Sequence, residues 1–143
     1  MQGMSEPEVT RPKRIIYVED DSLMGELVKD LLTQAGYLIG VIEHRTLAHE
    51  TIAFKKPDLV ILDRSLLGMQ GLEILRRLRT TPDTYLIPVL MLTANGGGNM
   101  IDEGLGAGAN EYLDKPFDPD ELVQRVAAIL KDSLYNHRTH RLN

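Results

Sequence analysis

Residues 60–71 read VILDRSLLGMQG, and the five residues at 58–62, DLVIL, run straight into Asp63. A short apolar run rich in β-branched residues predicts a fully buried strand. Such a strand has no local reason to end on a carboxylate. Outward from it, RIIYV (14–18), YLIGVI (37–42), IPVLML (87–92) and EYL (111–113) repeat the pattern. Helical spacing fills the gaps: Leu23, Leu27, Leu31 and Leu32 before Gly36, then LAHETIAF (47–54), then Leu72, Leu75 and Leu78 before Pro82. The last helix opens with Asp118 as N-cap, Pro119 at its first position and Glu121 at the capping-box position, with Leu122, Val126 and Ile129 as its inward stripe. Strands alternating with helices give a doubly wound α/β domain, a five-stranded parallel sheet with helices on both faces.

A length of 143 residues suits one domain. Cysteine is absent, which excludes disulfides, thiolate zinc and cysteine nucleophiles. The formal net charge of −5 opposes nucleic-acid binding by this domain. No apolar run approaches a membrane span and the N-terminus is too polar for a signal peptide, so the expected location is the cytoplasm. Residues 1–12 read as a flexible leader, 13–131 as the folded domain, and 132–143 as a polar tail, linker or frayed extension of the last helix.

In such sheets ligands gather beyond the carboxyl ends of the strands. Glu19, Asp20 and Asp21 follow the first strand, Asp63 the third, Thr93 the fourth, and Lys115 with Pro116 the fifth. Each has an ordinary use alone: Asp21 or Ser22 caps a helix, and surface lysines are common. Together they bring acids, a hydroxyl and an ammonium to one edge, and the acids call for a cation. Mg²⁺ is the natural one, because it takes oxygen ligands and only one or two direct carboxylates. Glu19, Asp20 and Asp63 then balance Mg²⁺ plus Lys115, leaving a neutral site suited to phosphoryl transfer.

With these residues in place the sequence resembles the receiver domain of bacterial two-component response regulators. The resemblance covers residues 13–131 and rests on VEDD, DLVILD, LLGMQG, the TA pair at 93–94 and GAGANEYLDKPF, with their spacings. It implies strand order 2-1-3-4-5 and Asp63 as phosphoacceptor. Asp20 and Asp63 become metal ligands, Glu19 one acting through water, and Ser65 a ligand through its backbone carbonyl. Lys115 binds phosphate, Thr93 and Tyr112 form the switch, and a cis Pro116 and Gly71 are structural. The implied donor is a sensor histidine kinase or a histidine phosphotransfer protein. The implied output is the face of helix four, strand five and helix five, used for homodimerisation or a downstream protein. On this resemblance the chain is a signalling domain that catalyses only its own phosphotransfer and dephosphorylation. Leu67 and Gln70 depart from the family's usual proline and acid or asparagine, Arg64 replaces an apolar residue, and Gly96–Gly98 weaken the start of helix four.

Rival patterns are weaker. GLGAGA (104–109) fits a dinucleotide fingerprint but no strand precedes it. The four histidines lack metal-ligand spacing and read as solvated, and RRLR (76–79) reads as the wet side of a helix. A Mg²⁺-dependent phosphohydrolase with an aspartate nucleophile is the alternative function, but it needs a second aspartate where Ser65 stands. A flavodoxin-like electron carrier would need hydroxyls after strand one, where acids stand.

Overall fold

The computed structural model describes residues 11–63, 70–93 and 108–142, with side chains throughout these except at Gln70 and beyond Lys131. The expected fourth helix with its glycines, the loop residues Arg64, Ser65 and Leu67, most of the leader and Gly104–Ala107 of the dinucleotide-like pattern lie outside them. The elements are β1 (Arg14–Val18), α1 (Ser22–Gln34), β2 (Leu38–Ile42), a 3-10 turn (Arg45–Leu47), α2 (Ala48–Lys55), β3 (Leu59–Asp63), α3 (Gln70–Thr80), β4 (Val89–Thr93), β5 (Glu111–Asp114) and a C-terminal helix (Pro119–Leu142). The strands form one parallel sheet in the order β2-β1-β3-β4-β5.

Burial explains the order. β3 and β4 are buried along their whole length and occupy the sheet's interior, while β2, with only partly covered residues, takes an edge. Strands covered on both faces are apolar throughout because neither face meets water. Alternate residues feed two cores. Ile16, Val18, Val60, Leu62, Val89 and Met91 pack with α2 and α3, whereas Ile15, Tyr17, Ile61, Leu90 and Leu92 pack with α1 and the C-terminal helix.

In α1 the inward residues are Gly25, Val28 and Leu32, whereas Leu23 and Leu27 are 79% and 52% exposed. Leucine spacing marked the helix correctly without setting its phase. Gly25 belongs to the inward face, where a Cβ would lie 3.3 Å from Val41 Cγ1 and the helix could approach β2 less closely. The caps follow local chemistry: Asp21 Oδ1 accepts from the backbone N–H of Leu23 and Met24, and Asp118 Oδ1 from that of Asp120. Glu121 does not close a capping box there, but accepts from Arg125 one turn on. The C-terminal helix continues to Leu142, and neither proline nor glycine interrupts residues 120–142.

Arg79 departs most from its sequence reading. Instead of facing water it donates from Nε to the Gly108 carbonyl at 2.8 Å, from one terminal nitrogen to the Tyr85 and Ile87 carbonyls, and from the other to Asn110 Oδ1. Asn110 Oδ1 also accepts the Val89 N–H at 2.9 Å. The guanidinium thus ties the end of α3 to the entries of β4 and β5. Gly108 has φ of 111°, and a Cβ there would meet Arg79 Cγ at 2.8 Å, so both backbone and packing require glycine. His49 is also less solvated than its sequence suggests, with Nε2 3.0 Å from Thr81 Oγ1.

Arg79→Ala leaves several carbonyls without this donor and should cost about 2–4 kcal/mol in urea unfolding. Arg79→Lys should restore less than half of that, because an ammonium cannot reproduce the planar fork.

Candidate functional site

The sheet register assembles the site. Val18 pairs with Leu62, so Glu19, one residue past β1, comes level with Asp63. Asp63 pairs with Leu92, so Thr93 lies one step beyond, and Thr93 pairs with Asp114 next to Lys115. Backbone bonds hold the ends together: Glu19 N–H donates to Ile42 O at 3.0 Å and Lys115 N–H to Thr93 O at 2.7 Å. Parallel register thus places four chain segments on one edge with no long loop to order.

Glu19 and Asp63 are 2% exposed and Thr93 is 1% exposed, whereas Asp20 is open to solvent. One oxygen from each of Glu19, Asp20 and Asp63 lies within 4.8 Å of the others. Lys115 Nζ donates to Asp63 Oδ2 at 2.8 Å and stands 3.6 Å from Glu19 Oε1. Asp21 faces the helix as its cap. Tyr112 is buried in β5, the Lys115–Pro116 bond is cis, and Gly71 is buried in the first turn of α3. Ser65 lies outside the described residues.

Two buried carboxylates share one described ammonium, and the shortfall appears in Glu19. Burial lifts its carboxyl from the usual 4.5 to about 7; Asp63 pushes the same way, against the Tyr17 hydroxyl and Lys115. The donor set is oxygen throughout, with two buried acids and one exposed, which suits a hard divalent cation that keeps part of its water.

Tyr17 was missed by reading the strand as simple core. It is wholly buried, and its hydroxyl donates to Glu19 Oε1. Burial and the neighbouring acids raise the phenol far above its ordinary range, so it stays a donor. The available signal was its spacing, since residues two apart on a strand share a face.

A doubly wound sheet of this order, with acids after β1, an acid ending β3 and a lysine after β5, defines a receiver-type α/β domain. Residues 15–127 match the family described as Response regulator receiver domain, and the chain belongs to that family, a part of two-component systems. It is 41% identical over 119 residues to the phosphate regulon transcriptional regulatory protein PhoB of Pseudomonas aeruginosa, covering 83% of this chain and 52% of that protein. Identity is 38% over 122 residues with the DNA-binding response regulator MtrA of Mycobacterium bovis, covering 85% and 52%. The BeF3-activated N-terminal receiver domain of Klebsiella pneumoniae RstA superposes with a TM-score of 0.74 at 32% identity, covering 82% of this chain and 97% of that one. The chain spans about half the length of the curated relatives it matches. Among the described residues no helix is long and apolar enough to cross a membrane.

The raised Glu19 carboxyl makes the metal-free fold pH-dependent. The folded state holds this proton more tightly than the unfolded chain, so the stabilisation is complete below about 4.5 and is lost as pH rises through about 7. Unfolding in EDTA should therefore lose on the order of 1–3 kcal/mol between pH 5 and pH 8. Glu19→Gln should flatten the profile.

Proposed function

We propose that Asp63 accepts a phosphoryl group from a phosphohistidine of a sensor kinase or phosphotransfer protein. The observation that carries this reading is the 2.8 Å contact between Lys115 Nζ and a buried Asp63 that shares its edge with Glu19 and Asp20. An Asp63 oxygen attacks phosphorus, the P–N bond to the donor imidazole breaks with its electron pair leaving on nitrogen, and a mixed anhydride forms. Lys115 holds one phosphoryl oxygen as charge shifts outward.

Asp20 and Asp63 would ligate Mg²⁺ directly, Glu19 through water, and Ser65 through its backbone carbonyl. The bound cation would neutralise the phosphoryl oxygens and so allow two anions to meet. Its fit is supported by the all-oxygen donor set and by the upward push that burial and the adjacent Asp63 exert on the Glu19 carboxyl. The chain would then act as a cytoplasmic signalling domain and not as a turnover enzyme, with no nucleic-acid contact of its own.

Thr93 and Tyr112 form the link to a partner in this reading. The Thr93 hydroxyl moves to a phosphoryl oxygen, and Tyr112 turns further inward. The phosphate thereby selects one of two pre-existing arrangements of the face of helix four, β5 and the C-terminal helix, which meets a second copy or a downstream protein.

Treatment with a small phosphodonor and Mg²⁺ should add one phosphoryl group by intact mass, and Asp63→Asn should add none. A full signal from Asp63→Asn refutes the assignment.

Mg²⁺ at ten to a hundred times its Kd should stabilise the fold by about 1–3 kcal/mol. Asp20→Asn should lose most of that response in thermal unfolding.

Thr93→Ala should still take phosphate while losing most of the phosphate-dependent change in amide exchange over β5 and the start of the C-terminal helix. A parent-like response from Thr93→Ala would place the switch elsewhere.

A further inference from the structure

Glu19 is held at both ends. Its Oε1 accepts from the Tyr17 hydroxyl, with Lys115 Nζ 3.6 Å away, and its Oε2 accepts the Asp21 N–H at 3.2 Å. Tyr17 reaches it from inside the core, as part of the buried cluster that includes Ile15, Val28, Leu32 and Ile61. A buried phenol needs one partner, and any carbonyl would have met that need. Here the partner is an acid of the candidate cation site.

A carboxylate has about four acceptor positions. With the Tyr17 and Asp21 bonds made, Glu19 keeps capacity for a further hydrogen bond but is not free to swing outward. Mg²⁺ keeps several waters and bonds directly to only one or two carboxylates, whereas Ca²⁺ accepts more ligands in looser geometry. A Glu19 held in place favours the first cation; one free to advance favours the second.

We propose that Tyr17 is a positioning residue of the cation site, its buried hydroxyl fixing Glu19 as an acceptor for metal-bound water and so setting selectivity for Mg²⁺ over Ca²⁺. The proposal rests on the reading of Glu19, Asp20 and Asp63 as a Mg²⁺ site and adds a residue to its outer shell. Outer-shell partners of metal ligands commonly govern affinity as well as orientation.

The test is titration of the metal-free protein and of Tyr17→Phe with Mg²⁺ and, separately, Ca²⁺, followed by thermal shift, together with phosphorylation by a small phosphodonor across the Mg²⁺ range. Tyr17→Phe removes one oxygen and keeps the ring. It should raise the Mg²⁺ half-saturation about tenfold, at the low end for an outer-shell partner. Its Ca²⁺ value should move less, so the ratio narrows, while the phosphorylation plateau at saturating Mg²⁺ is kept. In a Glu19→Ala background, Tyr17→Phe should leave the Mg²⁺ half-saturation unchanged, because its route of action is gone. A structural role alone would lower the metal-free melting temperature without moving either half-saturation or their ratio, and that result overturns the proposal. So does an undiminished Tyr17→Phe effect in the Glu19→Ala background. A parent protein indifferent to Mg²⁺ overturns the cation-site reading, and the proposal with it.

Discussion

Like charges crowded at a buried edge are the constraint on which this molecule turns. Glu19 and Asp63 are nearly inaccessible, and the described cation between them is Lys115, 2.8 Å from one and 3.6 Å from the other. Buried carboxylates are costly unless paired or protonated. Burial and the nearby Asp63 accordingly push the Glu19 carboxyl up to about 7. A divalent cation bound beside these acids would relieve the imbalance by adding positive charge, and the proposed phosphoryl transfer, which brings further negative charge, would depend on it.

The rest of the fold keeps that edge rigid. Fully buried β3 and β4 carry Asp63 and Thr93 at their ends, and two cores pin the sheet from both faces. At the opposite edge of the sheet Arg79 fastens α3 to the chain that enters β4 and β5. The two residues proposed as the switch are both buried, Thr93 at the end of β4 and Tyr112 in β5. Their proposed motion thus takes place against a framework clamped at Arg79.

Family membership fits this physical reading without replacing it. The relatives named as DNA-binding or transcriptional regulators are about twice as long as the matched segment. The activities in their names belong to the whole proteins, while the matched part coincides with the α/β domain described above.

Much of this was legible in the sequence, because strand and helix signals are local. Apolar runs bounded by polar residues located the strands, Asp21 and Asp118 marked helix starts, and an acid directly after a buried strand pointed to the sheet edge. Parallel pairing then makes the convergence of Glu19, Asp63, Thr93 and Lys115 a consequence of topology. What periodicity lacks is phase and partner. The leucines of α1 announced a helix, yet Val28 and Leu32 face inward with Gly25, which packs close to Val41, while Leu23 and Leu27 do not. Arg79 looked like its solvated neighbours until four acceptors from distant positions closed around it. Tyr17 looked like core until its hydroxyl met Glu19. The sequence by itself determined which segments form strands and helices and which chemistry stands at the strand ends, since both depend on neighbouring residues. Only the tertiary structure decided which polar atoms pair across the chain, since a hydrogen bond depends on ångström-scale distances between residues far apart in sequence.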